Sequence, residues 1–364
     1  MTIKEILLFL ESKAPYALQE SYDNSGLITG TPEMISNGAV ISLDCTEEVI
    51  DEAIKLGVNT VIAHHPIVFS GLKKITGRNY VERTIIKAIK HDIAIISIHT
   101  NLDNVAHGVN GMIAERLELK NCRILDPVKE KLFKLVTYVP HAHAETVLNA
   151  MFAAGAGHIG NYSECSFSSE GKGTFKASES SNPYVGQIGE RHTESETKLE
   201  VICPKWLIES VRKAMIQAHP YEEVAHEISL LENKWEEIGA GMIGELSTAI
   251  ETMEFLSFLK NKMQTGCVKY THPVSTKISK VAICGGSGSF LLEKAIQKGA
   301  DIFISSDFKY HQFFDADGRI IIADIGHFET EQYTIDLLSA WFAEKFPTFA
   351  THKTGVVTNP INYL

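Results

Sequence analysis

A chain of 364 residues exceeds a single domain of roughly 150 residues and reads as two or three domains. It is 44% apolar and 22% charged, which is ordinary for a globular protein that buries a large core. Its 34 basic and 45 acidic side chains leave a net charge of −11. That excludes the broad cationic surface of a non-specific nucleic-acid binder or of a protein held on an anionic membrane.

No stretch approaches the ~20 apolar residues of a membrane helix. The first residues carry charges at Lys4, Glu5, Glu11 and Lys13 and lack the basic head and apolar core of a secretory signal. Ile3, Ile6, Leu7 and Leu10 recur at helical spacing instead. The six cysteines never fall within four residues of one another. Neither a zinc-ribbon spacing nor a disulfide scaffold is expected, and a reducing cytoplasm is the expected location.

An internal repeat organises the rest. Residues 39–65 align without a gap on 281–307: Val40-Ile41 meets Ala282-Ile283, Ala53-Ile54 meets Ala295-Ile296, Gly57 meets Gly299, and Val61-Ile62 meets Phe303-Ile304. Each copy reads as an apolar strand, a turn, an amphipathic helix stopped by glycine, and a second apolar strand, a βαβ unit. After the first copy come a helix over Tyr80 to Lys90 and the strand IAIISIHT; after the second comes RIIIADIGH. Open parallel sheets bind ligands beyond the carboxyl ends of their strands, so chemistry is expected there in both halves.

Between the halves the texture changes. FKLVTYV reads as a strand and AETVLNAMFAAGAG as a helix. A polar Ser/Gly-rich stretch from Tyr162 to Arg191 holds strand-like alternation around SECSF and GTFKA. KLEVICP, WLIESVRKAMIQA and VAHEISLL read as strand, helix and strand. The order β-α-β-β-α-β is that of a ferredoxin-like domain. The expected fold is therefore α/β, with an outer domain over 1–128 and 236–364, built from the duplicated βαβ halves, and an inserted ferredoxin-like domain over 129–235.

His64 and His65 close the second strand of the first repeat. Asp103 follows IAIISIHT in the loop HTNLD, and His327 follows RIIIADIG with Glu331 at i+4. Imidazole and carboxylate together suit Zn²⁺, Mn²⁺ or Fe²⁺. Adjacent side chains at a strand end diverge, so His64 and His65 hold different ions more readily than one. His327 and Glu331, one turn apart at the start of the helix carrying Ile335, Leu338 and Trp341, can point the same way. A carboxylate flanked by histidines implies two divalent ions per chain, ~3.5–4 Å apart.

The other chemistry-bearing residues carry plainer readings. His141 and His143 flank a helix start, and His219 ends a helix where a hydrogen-bonding side chain is favourable. His99 is a candidate supporting residue beside the ligands. CGGSGSF follows a strand and precedes a helix but is neither GxGxxG nor a P-loop, so for dinucleotide binding it reads as a tight turn allowing close packing, with a phosphate or carboxylate contact from its amides left open. Asp307, Lys309, Tyr310 and His311 begin at the repeat position of His65; of these Asp307 and His311 are the candidates for catalytic proton handling. Asp23-Asn24-Ser25-Gly26 reads as a turn or cap.

The ordered set SYDNSGL (21–27), IAHHPIVF (62–69), HTNLDNVAHGVN (99–110), GGSGS (285–289), ISSDFKYH (304–311) and GHFETE (326–331) resembles the Nif-three-like family, also called GTP cyclohydrolase I type 2-like proteins. The resemblance implies a dinuclear metal centre whose ligands fall on His64, His65, Asp103, His327 and Glu331, with Glu331 bridging. It also implies a toroidal homohexamer with the sites facing an inner cavity, and a long form whose inserted domain is PII/CutA-like and covers the openings of the toroid. Tyr22 stands where the family often has tryptophan, and Ser305-Ser306 replaces the usual Thr-Gly before Asp307; neither falls on a proposed ligand.

Two readings of function compete. The first is a metal-dependent hydrolase acting on a nucleotide or other heterocyclic small molecule, in which the ions acidify a water and polarise the substrate. The second is a non-catalytic assembly that stores, delivers or senses metal, with an inserted domain that responds to a small molecule. A nucleic-acid partner is disfavoured by the acidic balance and the lack of basic-aromatic interleaving.

Overall fold

The computed structural model describes residues 1–364. They divide into two compact units, Met1–Pro127 with Glu236–Leu364, and Val128–Trp235. The protein is a mixed α/β chain with three sheets, and no helix is long and apolar enough to cross a membrane.

The first unit holds two sheets, one around each repeat. In the first, Ala39–Ser42, Thr60–Ala63 and Ala94–Ser97 are parallel neighbours; Thr351–Lys353 adds a parallel edge and Gly26–Thr29 an antiparallel one. In the second, Lys277–Ser287, Ile302–Ser306 and Ile321–Asp324 are parallel, flanked by Lys269–Tyr270 on one side and by Trp235–Glu251 and Lys120–Val128 on the other. The repeat survives in the register. Ala39 pairs with Thr60 and Val281 with Ile302, the same spacing in both halves.

These strands are apolar runs because both faces are covered: Val40, Ile41, Val61, Ile62, Ile95 and Ile96 are all fully buried. The crossover helix of the first copy, Glu47–Leu56, is capped by the Thr46 side chain, buries Val49, Ile50 and Ala53, and ends at Gly57 with φ +70°. Its counterpart is weaker. A 3₁₀ turn over Ser289–Leu291 precedes a helix of only Leu292–Gln297.

The second unit runs strand, helix, strand, strand, helix, strand. Its antiparallel sheet has the order Ser166–Lys176, Arg191–Pro204, Leu132–Pro140, His226–Leu231. Helices Ala144–Ala153 and Ile208–Ala218 bring Val147, Met151, Val211 and Met215 against Leu135, Val139, Leu199, Val201 and Cys203.

Three local expectations need correction. The polar stretch after Tyr162 is not two short alternations: it contains one strand of eleven residues, Ser166–Lys176, paired along its length with a strand that starts at Arg191. Its side chains are mostly exposed, so the backbone ladder defines it where hydrophobic periodicity is silent. Asp103 lies on a single helical turn, Thr100–Asp103, rather than in a loop. His327–Glu331 is a separate short helix from Thr334–Lys345. At the break, Gln332 and Tyr333 donate to the carbonyls of Met263 and Lys262.

Lys120–Val128 and Trp235–Glu251 are neighbours in one sheet, and Gly239 lies against Asp126 and Pro127. The chain therefore leaves and re-enters the first unit at one place. Replacing 129–235 with a Gly/Ser linker of about four residues should leave a protein that unfolds cooperatively and still takes up metal. Insoluble or metal-free protein would contradict this.

Candidate metal centre

The parallel strands deliver the cluster. His64 and His65 leave the end of Thr60–Ala63, and their amides donate to the Ser42 and Leu43 carbonyls, prolonging the ladder. His99 and Asp103 follow Ala94–Ser97. His327 and Glu331 follow Ile321–Asp324 and occupy a helix opened by Gly326 at φ +97°. The candidate residues come from the carboxyl ends of strands in both sheets, where such folds place ligands.

Glu331 is at the centre, 3% exposed. Its Oε2 lies 2.9 Å from His65 Nε2 and 3.2 Å from His327 Nε2. Its Oε1 lies 3.9 Å from His64 Nε2, which is 3.6 Å from Asp103 Oδ1. Three groups are close enough to hold a metal ion: His65, His327 and Glu331; His64, Asp103 and Glu331; and His64, His65 and His99.

Each imidazole is oriented through its other nitrogen. His64 Nδ1 donates to the Ile98 carbonyl at 2.8 Å, which leaves Nε2 as a lone pair. His65 Nδ1 meets Asp44 at 2.8 Å, His327 Nδ1 meets Asp307 at 2.6 Å, and His99 Nδ1 meets Asp23 at 2.7 Å. Carboxylates that fix the tautomer and direction of an imidazole are the usual supports of metal-binding histidines. His64 Nε2 and Asp103 Oδ1 are buried without any hydrogen-bond partner. Orphaned buried polar atoms are costly, and two of them facing each other across a nitrogen–oxygen gap fit a cation between them.

The electrostatics agree. Burial pushes the His64 imidazole down to about 3, so it is neutral with a free lone pair. Burial opposes charge on His65 and His327 too, but Glu331 with Asp44 lifts His65 to about 10, and Asp307 with Glu331 lifts His327 to about 11. Against its burial, Glu331 is held well below the usual carboxylate range by those two histidines. Asp103 is raised well above it by burial and by the Glu331 charge. Without metal, protons supply the positive charge that this cluster needs.

Sequence reasoning left several residues without a role. Asp44 carried no reading of its own, and Asp23 read as part of a turn or cap. Asp23 also accepts from the Thr100 amide at 3.0 Å, so it organises the turn that carries Asp103. The glycine run is more than a tight turn. The Gly285 and Gly286 amides donate to Asn110 and Thr330, and a Cβ on Gly286 (φ +62°) would fall on the Glu331 carboxylate and beside His327. Asp307 touches the cluster through His327. His311 is exposed beside Tyr310 and Phe314 and does not line the cavity. That cavity, of about 770 Å³, is walled by Tyr22, Phe69, Phe290 and Phe328 and bounded by Asn359 and Ile361.

The family model of Duf34/NIF3 (NGG1p interacting factor 3) matches residues 1–360. The chain belongs to the DUF34/NIF3 family. Family relatives named "GTP cyclohydrolase 1 type 2 homolog" include one from Halalkalibacterium halodurans, 41% identical over 325 residues and covering 88% of this chain and 87% of that one. Another, from Bacillus subtilis, is 39% identical over 327 residues, covering 89% and 88%. A solved Bacillus cereus protein related to NIF3 superposes with a TM-score of 0.88 at 38% identity, over 100% of this chain and 99% of that one.

Two predictions follow from the geometry. Asp44→Asn and Asp307→Asn should each weaken metal binding by about 10–100-fold while the protein stays folded; competition against a chromogenic chelator measures it, and unchanged affinity in both would remove the orienting role. The sign of the pH dependence is also set. His65 and His327 are raised, hence protonated at neutral pH, and must lose protons to bind metal. Binding should therefore release protons and tighten as pH rises from 7 toward 10, by up to about tenfold per unit for each proton released. Calorimetry in buffers of different ionisation enthalpy reads this directly, and proton uptake would contradict it.

Proposed function

We propose that this chain is a metal-dependent hydrolase that holds two divalent ions and acts on a nucleotide or other heterocyclic small molecule. The observation that carries the reading is the division of Glu331. One oxygen faces His64 and Asp103, the other faces His65 and His327. In this reading Glu331 bridges, and His64, His65, Asp103 and His327 complete the two sites. Zn²⁺, Mn²⁺ and Fe²⁺ suit such nitrogen and oxygen donors. Ions bound there would acidify a water and polarise the bond to be broken.

The chain's own residues do the rest. The aromatic walls of the cavity suit a planar substrate. Asp307 orients His327 rather than reaching the substrate, and His311 lies outside the cavity. Proton handling at the reacting centre falls to His99, which faces His64 and His65 with Asp23 behind it. The relatives' name, GTP cyclohydrolase 1 type 2 homolog, supports a nucleotide as the substrate class to try first.

The second unit's strand order supports a ferredoxin-like domain, inserted over 129–235 and PII/CutA-like in the sense of the family resemblance. The same resemblance supports a toroidal homohexamer. Light scattering should then report a mass near six chains, and a stable monomer would remove the toroid.

Glu331→Gln should lose one or both ions, read by plasma mass spectrometry, while circular dichroism stays unchanged. Two ions retained at full affinity would end the bridging role. At equal metal loading, His99→Gln should lose about 10²–10⁴ in turnover of GTP or a related nucleotide. Metal-loaded wild type that exchanges its ions readily and turns over none of a nucleotide panel would favour a metal carrier instead.

A further inference from the structure

The second unit contains its own cavity, of about 610 Å³, remote in sequence from every candidate metal ligand. That volume lies within the range of small-molecule sites. Its floor is the sheet face opposite the helices. Leu199, Val201 and Cys203 point into the helix-covered core, so by the two-residue period of a strand Glu196 points the other way.

Glu196 is the unusual residue. It is 8% exposed although it lies on the uncovered face of the sheet. Tyr221 donates to its Oε1 at 2.9 Å. No hydrogen bond reaches Oε2, which is turned toward Gly173 on the neighbouring strand; a Cβ at that position would collide with the carboxylate. A glycine in the middle of a strand costs stability, and here it makes room for a buried carboxylate with a vacant acceptor. Aromatic rings surround it. Phe175 and Tyr184 lie 5.9 and 6.2 Å from Tyr221, centroid to centroid, and line the same cavity.

We propose that this cavity is a binding site for a planar heteroaromatic ring of the guanine or pterin type, whose N–H edge donates to Glu196 while its face stacks on Tyr221 and Tyr184. A carboxylate offers only acceptors, so it matches a ring N–H flanked by an exocyclic amine. Aromatic walls supply the stacking. The hydroxyl of Tyr221 fixes the carboxylate in place before the ligand arrives, and burial together with the Glu196 bond raises that hydroxyl's pKa, so it stays a donor. The site draws all its residues from the second unit and gives that unit a ligand of its own.

The test is calorimetric titration of the full-length protein with guanosine, beside Glu196→Gln, Gly173→Val and His65→Ala. One guanosine site per chain, apart from any at the metal centre, should have the same affinity in wild type and in His65→Ala. Glu196→Gln turns an amide donor toward the ligand's own donors, and Gly173→Val drives the side chain out of place. Each should weaken binding by about tenfold or more with the thermal midpoint of the metal-bearing unit unchanged. Inosine, which lacks the exocyclic amine, should bind wild type more weakly than guanosine. Three results would overturn the proposal: no saturable binding to wild type, equal binding by Glu196→Gln, or binding lost only in His65→Ala, which would locate guanosine at the metal centre.

Discussion

Glu331 presents a carboxylate almost wholly removed from solvent, and the surrounding architecture answers that charge. Burying an isolated carboxylate costs several kcal/mol even after relaxation, and here a second acid, Asp103, stands close enough to have its own ionisation suppressed. Positive charge must enter the cluster. In the metal-free chain it enters as protons on His65 and His327. Two features of the donor set go beyond what protons explain. The His64 lone pair and Asp103 Oδ1 have no partner at all, and each histidine is anchored through Nδ1 with Nε2 left toward the cluster. Both features suit divalent cations.

The duplicated βαβ unit shows how the fold meets this demand. Both copies share strand register, but equivalent positions have divided the work. His65 is a candidate ligand, and its repeat counterpart Asp307 orients another, His327. Asp44 orients His65, and its counterpart Gly286 supplies empty space against which Glu331 can lie. The result is asymmetric. The first half contributes paired histidines at a strand end, and the second contributes a short helix that presents His327 and Glu331 from one face. The C-terminal segment joins the support, since Thr358 donates to the second oxygen of Asp44 at 2.6 Å.

The parts legible in the sequence were those written as repetition or periodicity. The gapless match of 39–65 to 281–307 carried the parallel strands and their register, because apolar runs buried on both faces have few alternatives. His64, His65, Asp103, His327 and Glu331 stood out because they sat at strand ends in both halves. Asp44 and Asp23 escaped notice because a carboxylate that holds a histidine from behind has no spacing signature; its partner is 21 residues away in one case and 76 in the other. Gly286 was misjudged for a related reason. Its value lies in the side chain it lacks, and that is visible only once Glu331 is seen to lie against it. The long exposed hairpin of the second unit was hidden because its residues are polar, and backbone pairing rather than burial defines it.

Anomalous diffraction at the zinc edge, from crystals of zinc-loaded protein, tests the central claim most directly. The account predicts two peaks per chain, about 3.5–4 Å apart, one flanked by His64 and Asp103 and the other by His65 and His327, with the Glu331 carboxylate between them. A single peak, or two peaks that do not share Glu331, would contradict it.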